Sequence, residues 1–98
     1  MKTIDLELRV STKGTILSYE VYLNDAMPAS KVMNHNSPST KKFPAYSAQD
    51  TGVKVIVKCG GVNDSETTCT VLINGQEQAY KVTKIANQPG YESHTYPV

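Results

Sequence analysis

The feature that most constrains the fold is an alternation of apolar and polar residues with a period of two, which recurs along most of the chain. It is clearest in KTIDLELRV, residues 2–10, where every second residue is apolar: Ile4, Leu6, Leu8 and Val10. This spacing places successive side chains on opposite faces of a β-strand, one face buried and one in water. The 3.6-residue period of an amphipathic helix is almost nowhere present. The sequence therefore predicts an all-β fold.

Two pairs of alternating segments predict hairpins, and the first pair includes residues 2–10. In TILSYEVYL, residues 15–23, the apolar set is Leu17, Tyr19, Val21 and Leu23. Pairing Val10 with Thr15 brings this set onto the same face as that of residues 2–10, and STKG between the segments is typical of a turn. The segments 53–59 and 67–73 predict a second hairpin by the same test, with Val57 opposite Val71.

The dipeptide Asn74-Gly75 predicts a third hairpin. Both central residues of a type I′ turn need positive φ, which Asn and Gly tolerate better than other residues. Pairing Ile73 with Gln76 then places Cys69 opposite Tyr80, so the inward row continues from one strand into the next.

The remaining segments complete a small sandwich. Residues 24–52 are rich in Asn, Ser, Pro and Thr, and within them KKFPAYS predicts a short edge strand in which Pro44 blocks the ladder. The tail YESHTYPV predicts a last strand. A chain of 98 residues suits one domain. We therefore expect a single domain over 1–98, a small immunoglobulin-like β-sandwich of six or seven antiparallel strands.

The chain has two cysteines, Cys59 and Cys69. In the second predicted hairpin they lie directly opposite each other, which makes them a disulfide candidate. The alternative is two reduced thiols in the core, because cysteine is among the most buried residue types. A zinc site is not predicted, since the only histidines, His35 and His94, are far from the cysteines in sequence.

Charge and composition exclude several classes of partner. Ten basic against nine acidic residues give a formal net charge of +1, so we expect no nucleic-acid partner. No stretch is apolar enough for a membrane span, and MKTIDLELRV has no apolar signal-peptide region. If Met1 is the natural start, the sequence predicts a cytoplasmic protein. If a leader was removed before Met1, the protein is secreted or lipid-anchored outside the cytoplasm.

No catalytic constellation is visible. The sequence has no G-x-S-x-G elbow, no H-E-x-x-H, no phosphate-binding glycine loop and no C-x-x-C, so we predict neither an enzyme nor a cofactor or metal site. Tyrosine is the conspicuous enrichment, six against one Phe and no Trp. Tyr46, Tyr91 and Tyr96 are predicted to be exposed and to bind a protein or glycan partner. The alternative is that they cover the rim of the core.

The segments ILSYEVY and, some fifty residues later, TCTVLINGQE resemble the soluble domain of the mycobacterial small membrane proteins (MmpS). The late motif is represented here by residues 68–75, Thr-Cys-Thr-Val-Leu-Ile-Asn-Gly. The resemblance covers roughly residues 15–80 and implies a β-sandwich outside the cytoplasmic membrane that assists a large lipid or siderophore exporter without catalysing a reaction. The chain departs from the pattern in having no Trp and no cysteine near its C-terminus.

Two functional hypotheses result. The first is a non-catalytic extracytoplasmic module that contacts a protein, glycan or envelope component through its loops and tyrosines. The second is a small cytoplasmic protein of phage or mobile-element type that binds and inhibits a host protein.

Overall fold

The computed structural model describes residues 1–23 and 30–98, and this part of the chain forms nine β-strands and no helix. The strands are β1 (Lys2–Lys13), β2 (Ile16–Leu23), β3 (Ser30–His35), β4 (Ser39–Ala48), β5 (Val53–Gly61), β6 (Glu66–Ile73), β7 (Gln76–Glu77), β8 (Lys81–Lys84) and β9 (Gly90–Tyr96). The all-β class predicted from the two-residue period is confirmed, although nine strands replace the predicted six or seven.

The strands form two antiparallel sheets. Sheet A has the order β4–β1–β6–β7, with β8 also paired to β6, and sheet B has the order β3–β2–β5–β9. Their apolar faces pack against each other around one core. The architecture is therefore a small β-sandwich, as the alternating pattern predicted.

The strands β1 and β5 supply every second residue to this core. β1 buries Ile4, Leu6, Leu8 and Val10, and β5 buries Val53, Val55, Val57 and Cys59. A side chain of this size contributes about 1.5–3 kcal/mol when it is removed from water, so these two rows supply much of the driving force for folding.

The predicted pairing of residues 2–10 with 15–23 is wrong. β1 pairs with β4 and β6, whereas β2 pairs with β3 and β5, so the two strands face each other across the core from different sheets. The chain crosses at Gly14, where φ is +81° and a Cβ would lie 2.6 Å from Ser65 Oγ. The Thr15 amide donates a hydrogen bond to the same Ser65 Oγ at 2.9 Å, which fixes the crossing.

The predicted inward position of Leu17 is also wrong. The β2–β5 register shifts between Ile16 and Ser18, and this irregularity turns Leu17 outward, where it is 70% exposed. Ile16 is buried in its place. The β5–β6 hairpin is wrong for the same reason as the first, because these strands lie in different sheets.

The Asn74-Gly75 turn is confirmed. Both residues have positive φ, and Ile73 pairs with Gln76 as predicted. Beyond this point the register differs, because Cys69 pairs with Lys81 rather than Tyr80. One extra residue between β7 and β8 therefore moves the following strand to the opposite parity, and Tyr80 is 63% exposed instead of buried.

The predicted KKFPAYS edge strand lies within β4, which forms one edge of sheet A. The β1–β4 register shifts between Ile4 and Leu6, opposite Pro44 and Ala45. Ala45 has a φ of +55°, and its amide donates to Asp5 Oδ1 at 3.3 Å. The result is a β-bulge that twists this edge away from regular pairing.

Tyr19 connects the two sheets at the β3–β4 turn. Its ring is fully buried, and its hydroxyl donates to the Ser37 carbonyl oxygen at 2.7 Å and lies 2.6 Å from Ser39 Oγ. A core side chain from sheet B thus holds the start of an edge strand of sheet A.

Candidate binding surface

The outward face of sheet B combines lysines and tyrosines around one apolar side chain. In an antiparallel sheet, directly paired residues lie on the same face, so the pairing places Tyr22 beside Ile56 and Lys58 beside Tyr91. We call this surface the lysine–tyrosine face, and it consists of Tyr22, Lys31, Lys54, Ile56, Lys58 and Tyr91.

Ile56 forms the centre of the lysine–tyrosine face. It lies in β5 between Tyr22 of β2 and Ser93 of β9 and is only 9% exposed, although it points away from the core. Neighbouring side chains therefore cover it, which gives the face an apolar centre with a polar surround.

The positive charges on this face are only partly compensated. Lys31 Nζ lies 2.6 Å from Glu20 Oε2, and this hydrogen bond lowers the pKa of Glu20 and raises that of Lys31. Lys58 Nζ lies 5.0 Å from the centroid of the Tyr22 ring, a cation–π contact. Lys58 also lies opposite Glu20 and helps to lower its pKa, although the two side chains do not form an ion pair. Among the described residues, Lys54 has no carboxylate within ion-pair distance.

The three candidate tyrosines have different environments. Tyr91 is 60% exposed and lies on the lysine–tyrosine face. Tyr46 is half-buried in β4, with its ring edge-on to Phe43 at a centroid distance of 6.0 Å. The structure therefore does not bring Tyr46 and Tyr91 together, since they lie on different sheets.

Tyr96 is buried, so its predicted exposure is wrong. It lies opposite Val53 in the inward row of β9, is 3% exposed, and its ring centroid is 4.6 Å from that of His94. Burial raises the pKa of Tyr96 to about 12, with further contributions from Cys69 and Glu92 nearby. The alternation of β9 explains the difference, because Tyr91 and Tyr96 have opposite parity.

Cys59 and Cys69 are both buried and unbridged. The disulfide prediction depended on a β5–β6 hairpin, whereas Cys59 lies in sheet B and Cys69 in sheet A. The arrangement agrees with the alternative of two thiols in the core. Burial raises the pKa of Cys69 to about 12, so its thiolate, the form that attacks electrophiles and binds metals, is strongly disfavoured.

A cleft of about 360 Å³ lies on sheet A and is lined by Asp5, Leu6, Glu7, Lys42, Pro44, Leu72 and Gly75. Its two carboxylates are already engaged, that of Asp5 by the Ala45 amide and that of Glu7 by Arg9. Within residues 1–23 and 30–98, no group of three or more His, Cys, Asp or Glu side chains is placed to hold a metal ion. The cleft therefore offers weaker grounds for a binding site than the lysine–tyrosine face.

Sequence reasoning missed the lysines and Ile56 as members of a binding surface. The alternation of VKVIVKC identified Lys54, Ile56 and Lys58 as one face of a strand, but nothing in that segment indicates the strands on either side. The one available signal for a binding surface was Ile56, an apolar residue between Lys54 and Lys58 on the strand face that was predicted to be exposed to water.

Comparison with family models, curated proteins and solved structures gives no match for this chain. In the part of the chain that the structure describes, no helix is long and apolar enough to cross a membrane.

Proposed function

We propose that the protein is a non-catalytic binding module that recognises a partner protein through the lysine–tyrosine face. The observation that supports this proposal is the exposed Tyr91 directly beside Lys58, on the same face as Lys54 and the apolar centre at Ile56. Among the described residues, neither lysine has a carboxylate within ion-pair distance. Tyrosine supplies large contact area at small entropic cost and is enriched in protein interfaces.

The chemistry of the face favours a partner with an acidic rim around apolar residues. Lys54 and Lys58 would meet carboxylates, and Tyr91 would cover apolar surface at the centre of the contact. A single-stranded nucleic acid fits less well, because base stacking needs free aromatic faces and Lys58 lies against the ring of Tyr22. The formal charge of +1 also provides little general attraction to phosphates.

The location of the protein and its MmpS resemblance stay predictions. An extracytoplasmic module and a cytoplasmic inhibitor of a host protein would both use such a surface. The proposal therefore concerns the binding face and the chemistry of the partner, which the two hypotheses share.

Site-specific photocrosslinking in the native host tests the proposal. A benzophenone amino acid replaces Tyr91 in one variant and Val82 in a matched control, since Val82 is also exposed but lies on sheet A. We expect a discrete protein adduct from position 91 and none from position 82. In the position-91 variant, adding Lys54→Glu and Lys58→Glu reverses the local charge, and we expect this change to abolish the adduct.

Other outcomes would contradict the proposal. Equal adducts from positions 91 and 82 would indicate that no particular face is used. An adduct that is digested by nuclease would show that the partner is a nucleic acid and not a protein. An adduct unaffected by the two charge reversals would show that the lysines do not participate.

A further inference from the structure

The four lateral edges of the two sheets are protected to different degrees. β4 carries Lys41, Lys42, Pro44 and the Ala45 bulge, all of which discourage another strand from pairing. β3 has a register shift, and the opposite edge of sheet A consists of the short strands β7 and β8. β9 is the exception among the described edges, because its seven residues pair with β5 without interruption.

Two ionisable side chains on β9 have no hydrogen-bond or ion-pair partner among residues 1–23 and 30–98. Glu92 and His94 lie in the inward row opposite Val57 and Val55, and both are half-buried at the edge of the sandwich. Within the described residues, neither makes a hydrogen bond or an ion pair. The ring of His94 packs edge-on against that of Tyr96, and Glu92 lies near enough to Tyr96 to contribute to its raised pKa. An inward-pointing charge on an edge strand normally repels an incoming strand unless that strand supplies a counter-charge.

The sequence of β9 supplies a polar partner for each of these side chains when it is paired with itself. In an antiparallel pair of two β9 strands centred on Ser93, Glu92 of one copy lies opposite His94 of the other, and the contact occurs twice by symmetry. Tyr91 then lies opposite Thr95, and Gly90 opposite Tyr96. Neither of these pairs brings like charges together.

We propose that the protein forms a homodimer by antiparallel pairing of β9 with β9 of a second copy, with Ser93 on the two-fold axis. The pairing joins the two B sheets into one eight-stranded sheet. It gives Glu92 and His94 of each copy a polar partner in the other copy and places the two lysine–tyrosine faces side by side. This inference rests on the edge strand and not on the proposed function.

Charge exchange tests the contact between Glu92 and His94. Sedimentation equilibrium of the wild type should show a concentration-dependent increase from 10.7 kDa toward twice that mass. Glu92→Lys replaces the carboxylate opposite His94 by a cation that cannot accept a hydrogen bond from the imidazole, and should weaken the dimer by about tenfold or more. The exchange variant Glu92→His/His94→Glu retains both contacts and should dimerise like the wild type.

Cysteine crosslinking tests the register independently of affinity. In the Ser93→Cys variant, the thiol at position 93 of one copy lies opposite the thiol at position 93 of the other, within reach of a disulfide. Mild oxidation should therefore give a dimer that a reductant separates. Thr95→Cys is the matched control, because positions 95 of the two copies are offset by about 13 Å along the paired strands. Cys59 and Cys69 are buried and should not react under these conditions.

Three results would overturn the inference. The first is a wild type that stays monomeric at about 1 mM, the weak end of specific association. The second is a dimer in which Ser93→Cys crosslinks no faster than Thr95→Cys. The third is an exchange variant that folds, by circular dichroism and thermal melting, but stays monomeric. Photocrosslinking from position 91 separates this inference from the proposed function, because a self-adduct has twice the chain mass.

Discussion

Removing the Tyr19 hydroxyl should destabilise the sandwich without changing its fold. Tyr19→Phe leaves the buried ring in place and deletes only the hydroxyl that bonds to the Ser37 carbonyl and contacts Ser39 Oγ. The change therefore isolates the polar link between the core of sheet B and the β3–β4 turn.

The expected loss is about 1–2 kcal/mol in the free energy of unfolding. A neutral hydrogen bond contributes about 0.5–1.5 kcal/mol net, and Tyr19 makes two contacts of hydrogen-bonding length. Ser37 is exposed, so its carbonyl can bind water in the variant, which keeps the loss below that of a buried unsatisfied group. The phenyl ring retains its packing, so no large cavity contributes.

Urea denaturation measures this loss. For a domain of this size we expect the midpoint to fall by about 0.5–1 M with an unchanged slope. Tyr91→Phe is the matched control, because its hydroxyl lies on an exposed side chain, and its midpoint should stay at the wild-type value. Equal midpoints for Tyr19→Phe and the wild type would refute the reasoning, since the hydroxyl would then contribute nothing.

Two other predictions concern buried groups and the backbone. Burial raises the pKa values of Cys69 and Tyr96 to about 12, so the folded state keeps protons that the unfolded state releases. The free energy of unfolding should therefore fall as pH rises above about 9. Cys69 should be alkylated only when the protein unfolds, so fast alkylation of Cys69 in the native protein would contradict the prediction. In Gly52→Ala the new Cβ lies 2.4 Å from the Tyr96 carbonyl oxygen, at a residue whose φ is +114°. This substitution should lower the melting temperature by about 10 °C or more. Gly60→Ala is the control: its Cβ has no atom within 4 Å, so the melting temperature should stay nearly unchanged. Similar melting of both variants would show that the contact at Gly52 relaxes freely.

The elements were easier to predict than their partners, and the reason is physical. A two-residue period identifies a strand and its inward row, as it did for β1 and β5. However, an inward row can be aligned equally well with any other inward row, whether beside it in the same sheet or facing it across the core. The apparent register match between Val10 and Thr15 therefore carried no information about whether β1 and β2 pair.

Turn chemistry is local, so its success and failure are also local. Asn74-Gly75 specifies its own two-residue loop and the first pair beyond it, and both are confirmed. The extra residue before β8 leaves no comparable signal, and Tyr80 moved from the predicted core to the surface as a result. The disulfide prediction failed with the β5–β6 hairpin on which it depended.

The candidate surface depended on tertiary pairing, so only part of it could be predicted. The predicted exposure of Tyr91 is confirmed, whereas that of Tyr96 is wrong, because the sequence did not show which residues of β9 point inward. Lys54 and Lys58 could be assigned to a binding surface only from the sheet order, which places β2 and β9 on either side of β5.

The position of β1 in the centre of sheet A also affects how the chain folds. Its neighbours come much later in the sequence: Leu6 pairs with Phe43 on one side and with Ile73 on the other. Long loops must close before these contacts form, so the rate of folding should be that of a topology with high contact order, in milliseconds to seconds. During synthesis, the most regular alternating segment of the chain emerges first, has no partner strand until β4 has been made, and keeps one unpaired edge until β6 follows.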